Sequence, residues 1–123
     1  MKPSEIGLQR ITDATRYSIA GLRAAWHHEA AFRQECVAAL LLLPCALWLG
    51  SSAAERAVLI TSLFVVIITE LLNSAIEALT DRIGGERHEL SGRAKDLGSA
   101  AVMLSLVLVI SVWGVITYSR LGE

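Results

Sequence analysis

The segment Ala57–Leu79 runs for 23 residues with Glu70 and Glu77 as its only charged side chains. As a helix it would be about 34 Å long, enough to cross roughly 30 Å of bilayer hydrocarbon. A second run, Ala100–Tyr118, is 19 residues long and carries no charge. A third, Ala30–Leu49, is shorter in effect. Only the 13 residues Val37–Leu49 are continuously apolar, Pro44 lies among them, and Arg33, Gln34 and Glu35 belong near an interface. A kink at a proline is tolerable in a membrane helix, where neighbours re-satisfy the freed backbone groups.

Composition agrees with three spans. Of 123 residues, 54% are hydrophobic and 19% charged, with a mean hydropathy of +0.52. A soluble fold of this size has too much surface to hide that much apolar material. Three short spans bury little core alone, so self-association is expected. The net charge of −1 and the absence of a dominant basic stripe argue against nucleic-acid binding. Cys36 and Cys45 lie about 13.5 Å apart along one helix, too far for a disulfide, and read as packing residues. The opening MKPSEIGLQRITDATRYS has no apolar core of signal-peptide type, so no cleavage is expected.

Residues 4–28 have helical periodicity. Leu8, Ile11, Thr15, Ile19, Leu22 and Trp26 recur at spacings of three and four, with Arg10, Asp13, Arg16 and Arg23 opposite. That pattern predicts an amphipathic helix lying in the membrane interface, anchored by Trp26. The expected fold is therefore an all-α membrane protein in one domain, 1–123. It comprises the amphipathic helix 4–28, transmembrane helices at 30–49, 57–79 and 100–118, and a cytoplasmic loop at 80–99. Basic residues orient it. Lys2, Arg10, Arg16, Arg23, Arg33, Arg82, Arg87, Arg93 and Lys95, nine of the eleven, fall on one side, which should be cytoplasmic. The N-terminus is then inside and the C-terminus outside.

Glu70, Asn73, Glu77 and Asp81 share an arc of about 80° on a helix. Glu70 and Glu77 are about 10.5 Å apart along its axis, so a polar stripe enters the membrane from the cytoplasmic side. Ionisable groups inside a bilayer are costly and point to function. Such a stripe can also serve interhelical hydrogen bonding or proton conduction in an oligomer. Beyond it, DRIGGERHELSGRAKDLGSA breaks at Gly84-Gly85 and brings acids and bases together. Mixed charge there suits a metal-bound phosphate ligand, although no GxxxxGK[ST] or GxGxxG pattern occurs. Glu29 falls on the same side as Glu77 and near the same depth. It could share a cation with Glu77, or be a solvated interfacial residue. His27 and His28 lack a zinc motif.

The runs GLRAAWHHEAAFRQE and ELLNSAIEALTDRIGGERHELSGRAKDLGSAAV, with the three-span layout, closely resemble the small prokaryotic diacylglycerol kinases. The resemblance covers the chain from about Arg10 to its last helix. It implies a homotrimer that transfers the ATP γ-phosphate to diacylglycerol, giving phosphatidic acid, with Mg²⁺ as cofactor. Carried over by position, it makes Glu70 the general base and Asn73 a residue ordering the site. It places the metal on Glu29 and Glu77, and ATP on Arg10, Tyr17, Glu29, Glu77, Glu86, Arg87, His88, Lys95 and Asp96. Lipid contacts fall on Ala14, Glu70, Ser99 and Trp113. The sequence departs from the family pattern at His27-His28, Arg87 and Pro44, none of them in the carboxylate set. Relatives of this family phosphorylate undecaprenol, so the lipid acceptor stays open at this point. An ion-conducting oligomer is the reading of a different class.

Overall fold

The computed structural model describes residues 7–84 and 88–122. They form four helices in chain order: α1 (Leu8–His28), α2 (Ala30–Leu49), α3 (Ala53–Ile83) and α4 (Glu89–Leu121). Helices α2, α3 and α4 are each long and apolar enough to cross a membrane.

The junctions show why the helices stop where they do. Glu29 is extended, with φ −118° and ψ 105°, and serves as the last cap of α1 and the first of α2. Its N–H donates to Ala25 O at 2.9 Å and its carbonyl accepts from Arg33 N at 3.2 Å. The Arg33 guanidinium reaches back to donate to Trp26 O at 2.6 Å and His27 O at 3.3 Å. It thereby satisfies carbonyls that the end of α1 leaves without helical partners.

At the α2–α3 turn, Ser52 Oγ accepts from Glu55 N at 3.1 Å, and Glu55 Oε1 accepts from Ser51 N at 2.8 Å. This reciprocal serine–glutamate arrangement starts α3 four residues before its apolar run. Two cations close the end of α2: Arg56 Nε donates to Leu47 O at 3.1 Å, and Arg120 Nη1 to Leu49 O at 3.3 Å. Arg120 also lies over the Trp48 ring, 5.1 Å from its centroid. Pro44 sits inside α2 without ending it.

The expectation of a loop over 80–99 is corrected. Thr80–Ile83 continue α3, and Glu89–Ser99 are the first three turns of α4. Hydropathy marks where a helix leaves the hydrocarbon, while the backbone stays helical for as long as caps and charge pairs support it. Here His88 Nδ1 accepts from Leu90 N at 3.0 Å, capping α4, and Arg93 pairs with Glu89 one turn earlier.

Helix α3 is the centre of the bundle, with α2 and α4 packed against it. Its buried residues, Leu59, Ser62, Leu63, Val66, Glu70, Asn73 and Thr80, recur at helical spacing along one stripe. Near the α2–α3 turn this stripe joins Ala46, Leu49 and Ile116 in an apolar cluster, flanked by Trp113 and Val112. Trp113 Nε1 donates to Ser62 Oγ at 3.1 Å there, and Ser62 in turn donates to Leu59 O at 2.7 Å. Elsewhere large apolar side chains stay uncovered, among them Leu40, Leu41, Ile110 and Val115. Helix α1 buries only Ala25.

Candidate functional site

Past Val66 the buried stripe of α3 changes character. Glu70 is only 6% exposed and Asn73 8%, one turn apart, while Glu77 is half-buried and Asp81 exposed. The stripe thus passes from interior to surface over about three turns of one helix. Asn73 Nδ2 donates to Glu77 Oε1 at 3.2 Å, holding one of the two carboxylate oxygens. Glu29, at the α1–α2 junction, and Glu77 both lie within electrostatic reach of Glu70.

Beside them runs a groove of about 640 Å³ between the second half of α1 and α3, lined by Ala25, His28 and Glu29 on one wall and Ser74 and Ala78 on the other. The small side chains on α3 leave the space, and Glu29 supplies its charge.

Helix α4 brings the cation. Lys95 Nζ donates to Asp81 Oδ1 at 2.5 Å and lies within electrostatic reach of Glu77. The hydrogen bond and negative charge of Asp81 hold the Lys95 ammonium above the usual lysine range. Lys95 therefore carries its charge at neutral pH. Asp96 and Ser99 are exposed on the same part of α4.

Glu29, Glu70, Asn73, Glu77 and Lys95 are thus gathered at one end of the bundle. Other expected site residues are not drawn in by the single chain. Arg10, Ala14 and Tyr17 are exposed along the first half of α1, with Arg16 over the Tyr17 ring. His88 caps α4, and Glu86 and Arg87 lie outside the described residues. Trp113 points its indole at Ser62, eight residues from Glu70 and so about 12 Å away along α3.

One inward carboxylate escaped the sequence reading. Glu35, assigned there to the interface, buries Oε2 without a hydrogen-bond partner and lies within electrostatic reach of Glu70. Its signal was periodic: Phe32, Glu35, Ala39, Ala46 and Leu49 fall on one face of α2. The charge beside Arg33 and Gln34 masked it.

Three membrane-length helices around a buried carboxylate that leads to a charged surface define a small helical membrane protein with a polar cluster at one end of its bundle. A family model for prokaryotic diacylglycerol kinase matches residues 16–117. The chain is 52% identical to diacylglycerol kinase of Escherichia coli (strain K12) over 122 residues, 99% of this chain and 100% of the relative. It is 49% identical to that of Haemophilus influenzae over 112 residues, 91% and 95% of the two chains. With that of Pseudomonas aeruginosa it shares 48% identity over 120 residues, 94% and 98%. The chain belongs to the prokaryotic diacylglycerol kinase family.

Proposed function

We propose that this protein transfers the γ-phosphoryl group of ATP to the hydroxyl of diacylglycerol, giving phosphatidic acid and ADP, for phospholipid synthesis and recycling. The observation that carries the reading is the graded burial of one helical face, from Glu70 inside the bundle to Glu77 half-exposed at its end. A lipid hydroxyl and a water-soluble phosphate donor must meet at such a boundary. The relatives' name, diacylglycerol kinase, supports the lipid acceptor and the phosphoryl-transfer chemistry.

The lipid oxygen forms its bond to the γ-phosphorus as the bridge to the β-phosphate breaks. The hydroxyl proton passes to a carboxylate oxygen of Glu70, whose shielding from bulk water suits it to act as a general base. Phosphoryl transfer asks the protein mainly for alignment and charge neutralisation. Lys95 contributes positive charge, and Asn73 fixes the orientation of Glu77. Among the described residues no three His, Cys, Asp or Glu side chains form a group that could hold a metal ion. Two carboxylates completed by phosphate oxygens and water are the usual donor set for Mg²⁺, and the second oxygen of Glu77 fits it. Mg²⁺ on ATP would be held by Glu29 and Glu77 and would supply charge neutralisation at the phosphates.

The remaining ATP contacts (Arg10, Tyr17, Glu86, Arg87, His88 and Asp96) and the lipid contacts Ala14, Ser99 and Trp113 are assigned by family position. A homotrimer accounts for the uncovered apolar faces, and a neighbouring subunit would complete a site from which Arg10 and Tyr17 otherwise stand apart. Helix α1 then lies amphipathically on the cytoplasmic surface of the inner membrane. The basic-residue distribution supports an N-terminus inside and a C-terminus outside.

The test is an assay with γ-labelled ATP in detergent micelles, offering diacylglycerol and undecaprenol separately and identifying the product by mass spectrometry. Labelled phosphatidic acid, lost in Glu70→Gln, is expected. Label on undecaprenol alone would move the activity to another acceptor, and no label on either lipid would remove the kinase reading.

A further inference from the structure

Helix α4 holds three glycines within its interior or first turn, Gly92, Gly98 and Gly114, each costing about 1 kcal/mol relative to alanine in a helix interior. A Cβ added at Gly92 or Gly114 would meet nothing within 4 Å. At Gly98, which is buried, it would collide with Asn73 Oδ1 and stand 3.3 Å from Asn73 Cγ. Asn73 Oδ1 is itself buried without a hydrogen-bond partner, so the oxygen is pressed against the bare α carbon of Gly98. A glycine Cα–H facing a carbonyl oxygen is a weak donor. The other end of the carboxamide, Nδ2, donates to Glu77 Oε1 at 3.2 Å. The reverse setting of the amide would oppose two oxygens, so the carboxylate fixes which end faces α4.

We propose that Gly98 is a positioning residue: its missing side chain is the seat that holds the Asn73 carboxamide on Glu77. Any side chain at position 98 turns the carboxamide away and frees the Glu77 carboxylate. The consequence for cation binding rests on the reading of Glu77 as a metal carboxylate, whereas the seating of Asn73 does not.

The experiment therefore reads the two separately, in the full-length protein in detergent. The side-chain ¹⁵NH₂ resonance of Asn73, assigned by its loss in Asn73→Ser, reports the carboxamide. Mn²⁺ binding in the presence of a non-hydrolysable ATP analogue, followed by electron paramagnetic resonance, reports the carboxylate. In Gly98→Ala the resonance should move in the direction seen in Glu77→Gln, and Mn²⁺ affinity should fall roughly tenfold, the scale of losing a group that orients a metal ligand. Gly114→Ala should change neither.

An unmoved Asn73 resonance in Gly98→Ala overturns the proposal, as does an equal shift in Gly114→Ala. A moved resonance with unchanged Mn²⁺ binding in both Gly98→Ala and Glu77→Gln leaves the seat standing and removes the metal assignment. If Gly98→Ala does not fold, Asn73→Ser/Gly98→Ala should, because the shorter serine vacates the colliding volume. Failure of that double variant also overturns the proposal.

Discussion

The two halves of the buried stripe on α3 use the same helix geometry for opposite ends. Towards the α2–α3 turn, Leu59, Leu63 and Val66 pack in an apolar environment, and the one polar pair, Ser62 with Trp113, is fully bonded. Towards the α1 end, Glu70, Asn73 and Glu77 occupy equivalent positions, and a buried oxygen of Asn73 is left without a partner. The first half is organised for stability. The second keeps polar groups buried and incompletely satisfied, which costs stability. Substitutions in the two halves should therefore separate folding from chemistry.

The largest effect belongs to Glu70→Gln, which keeps shape and removes the carboxylate proposed as the base. Lipid phosphorylation should fall by about 10²–10⁴ while ATP-analogue binding and thermal unfolding stay close to the parent protein. An equal loss of nucleotide binding would give Glu70 a different role. Leu59→Ala, at the other end, should behave inversely. It opens a cavity worth about 2 kcal/mol or somewhat more, read as a lowered midpoint of unfolding in detergent, with kcat per folded molecule unchanged. A proportionate loss of kcat would mean that the two halves are coupled.

Asp81→Asn should weaken the hold on Lys95. The pair is exposed, so stability should barely change, and the expected signature is a several-fold rise in the KM for ATP. The hydrogen bond and the charge of Asp81 raise the Lys95 pKa, so its stabilisation is complete below the ordinary lysine range and fades only as pH rises through the raised value. Stability of the parent protein relative to Asp81→Asn should be flat across neutral pH and converge only in strong alkali. Smallest of all, Trp113→Phe removes one hydrogen bond inside the bundle. Such bonds average about 0.6 kcal/mol where they have been measured in a membrane protein, so a small fall in unfolding midpoint is expected, together with the raised KM for lipid that the family position of Trp113 implies. An unchanged lipid KM would take Trp113 out of the acceptor site and leave it a packing residue.

Much of this contrast was legible in the residues. The apolar runs required helices because hydrocarbon cannot satisfy a backbone that leaves its own groups unpaired. The polar stripe followed from the spacing of Glu70, Asn73 and Glu77 alone. Less legible was where helix and membrane part company. Residues 80–83 and 89–99 read as loop because they are charged, yet α3 runs on through residues 80–83, and His88, Glu89 and Arg93 cap and pair locally to start α4. Asp81 shares the arc of the stripe but leaves the interior to meet Lys95, a partner 14 positions away that periodicity cannot name.

What the sequence by itself determined is whatever depends on one helix at a time: the three apolar segments and the face on which the carboxylates line up. Only the tertiary structure decided which of those faces is buried, that Glu35 turns inward towards Glu70, that Trp113 bonds to Ser62, and that Gly98 makes room for Asn73. The physical reason is range. Helical periodicity and hydropathy are properties of neighbours along the chain. Burial, ion pairing and close backbone approach arise between helices, where the packing of α2 and α4 on α3 selects them.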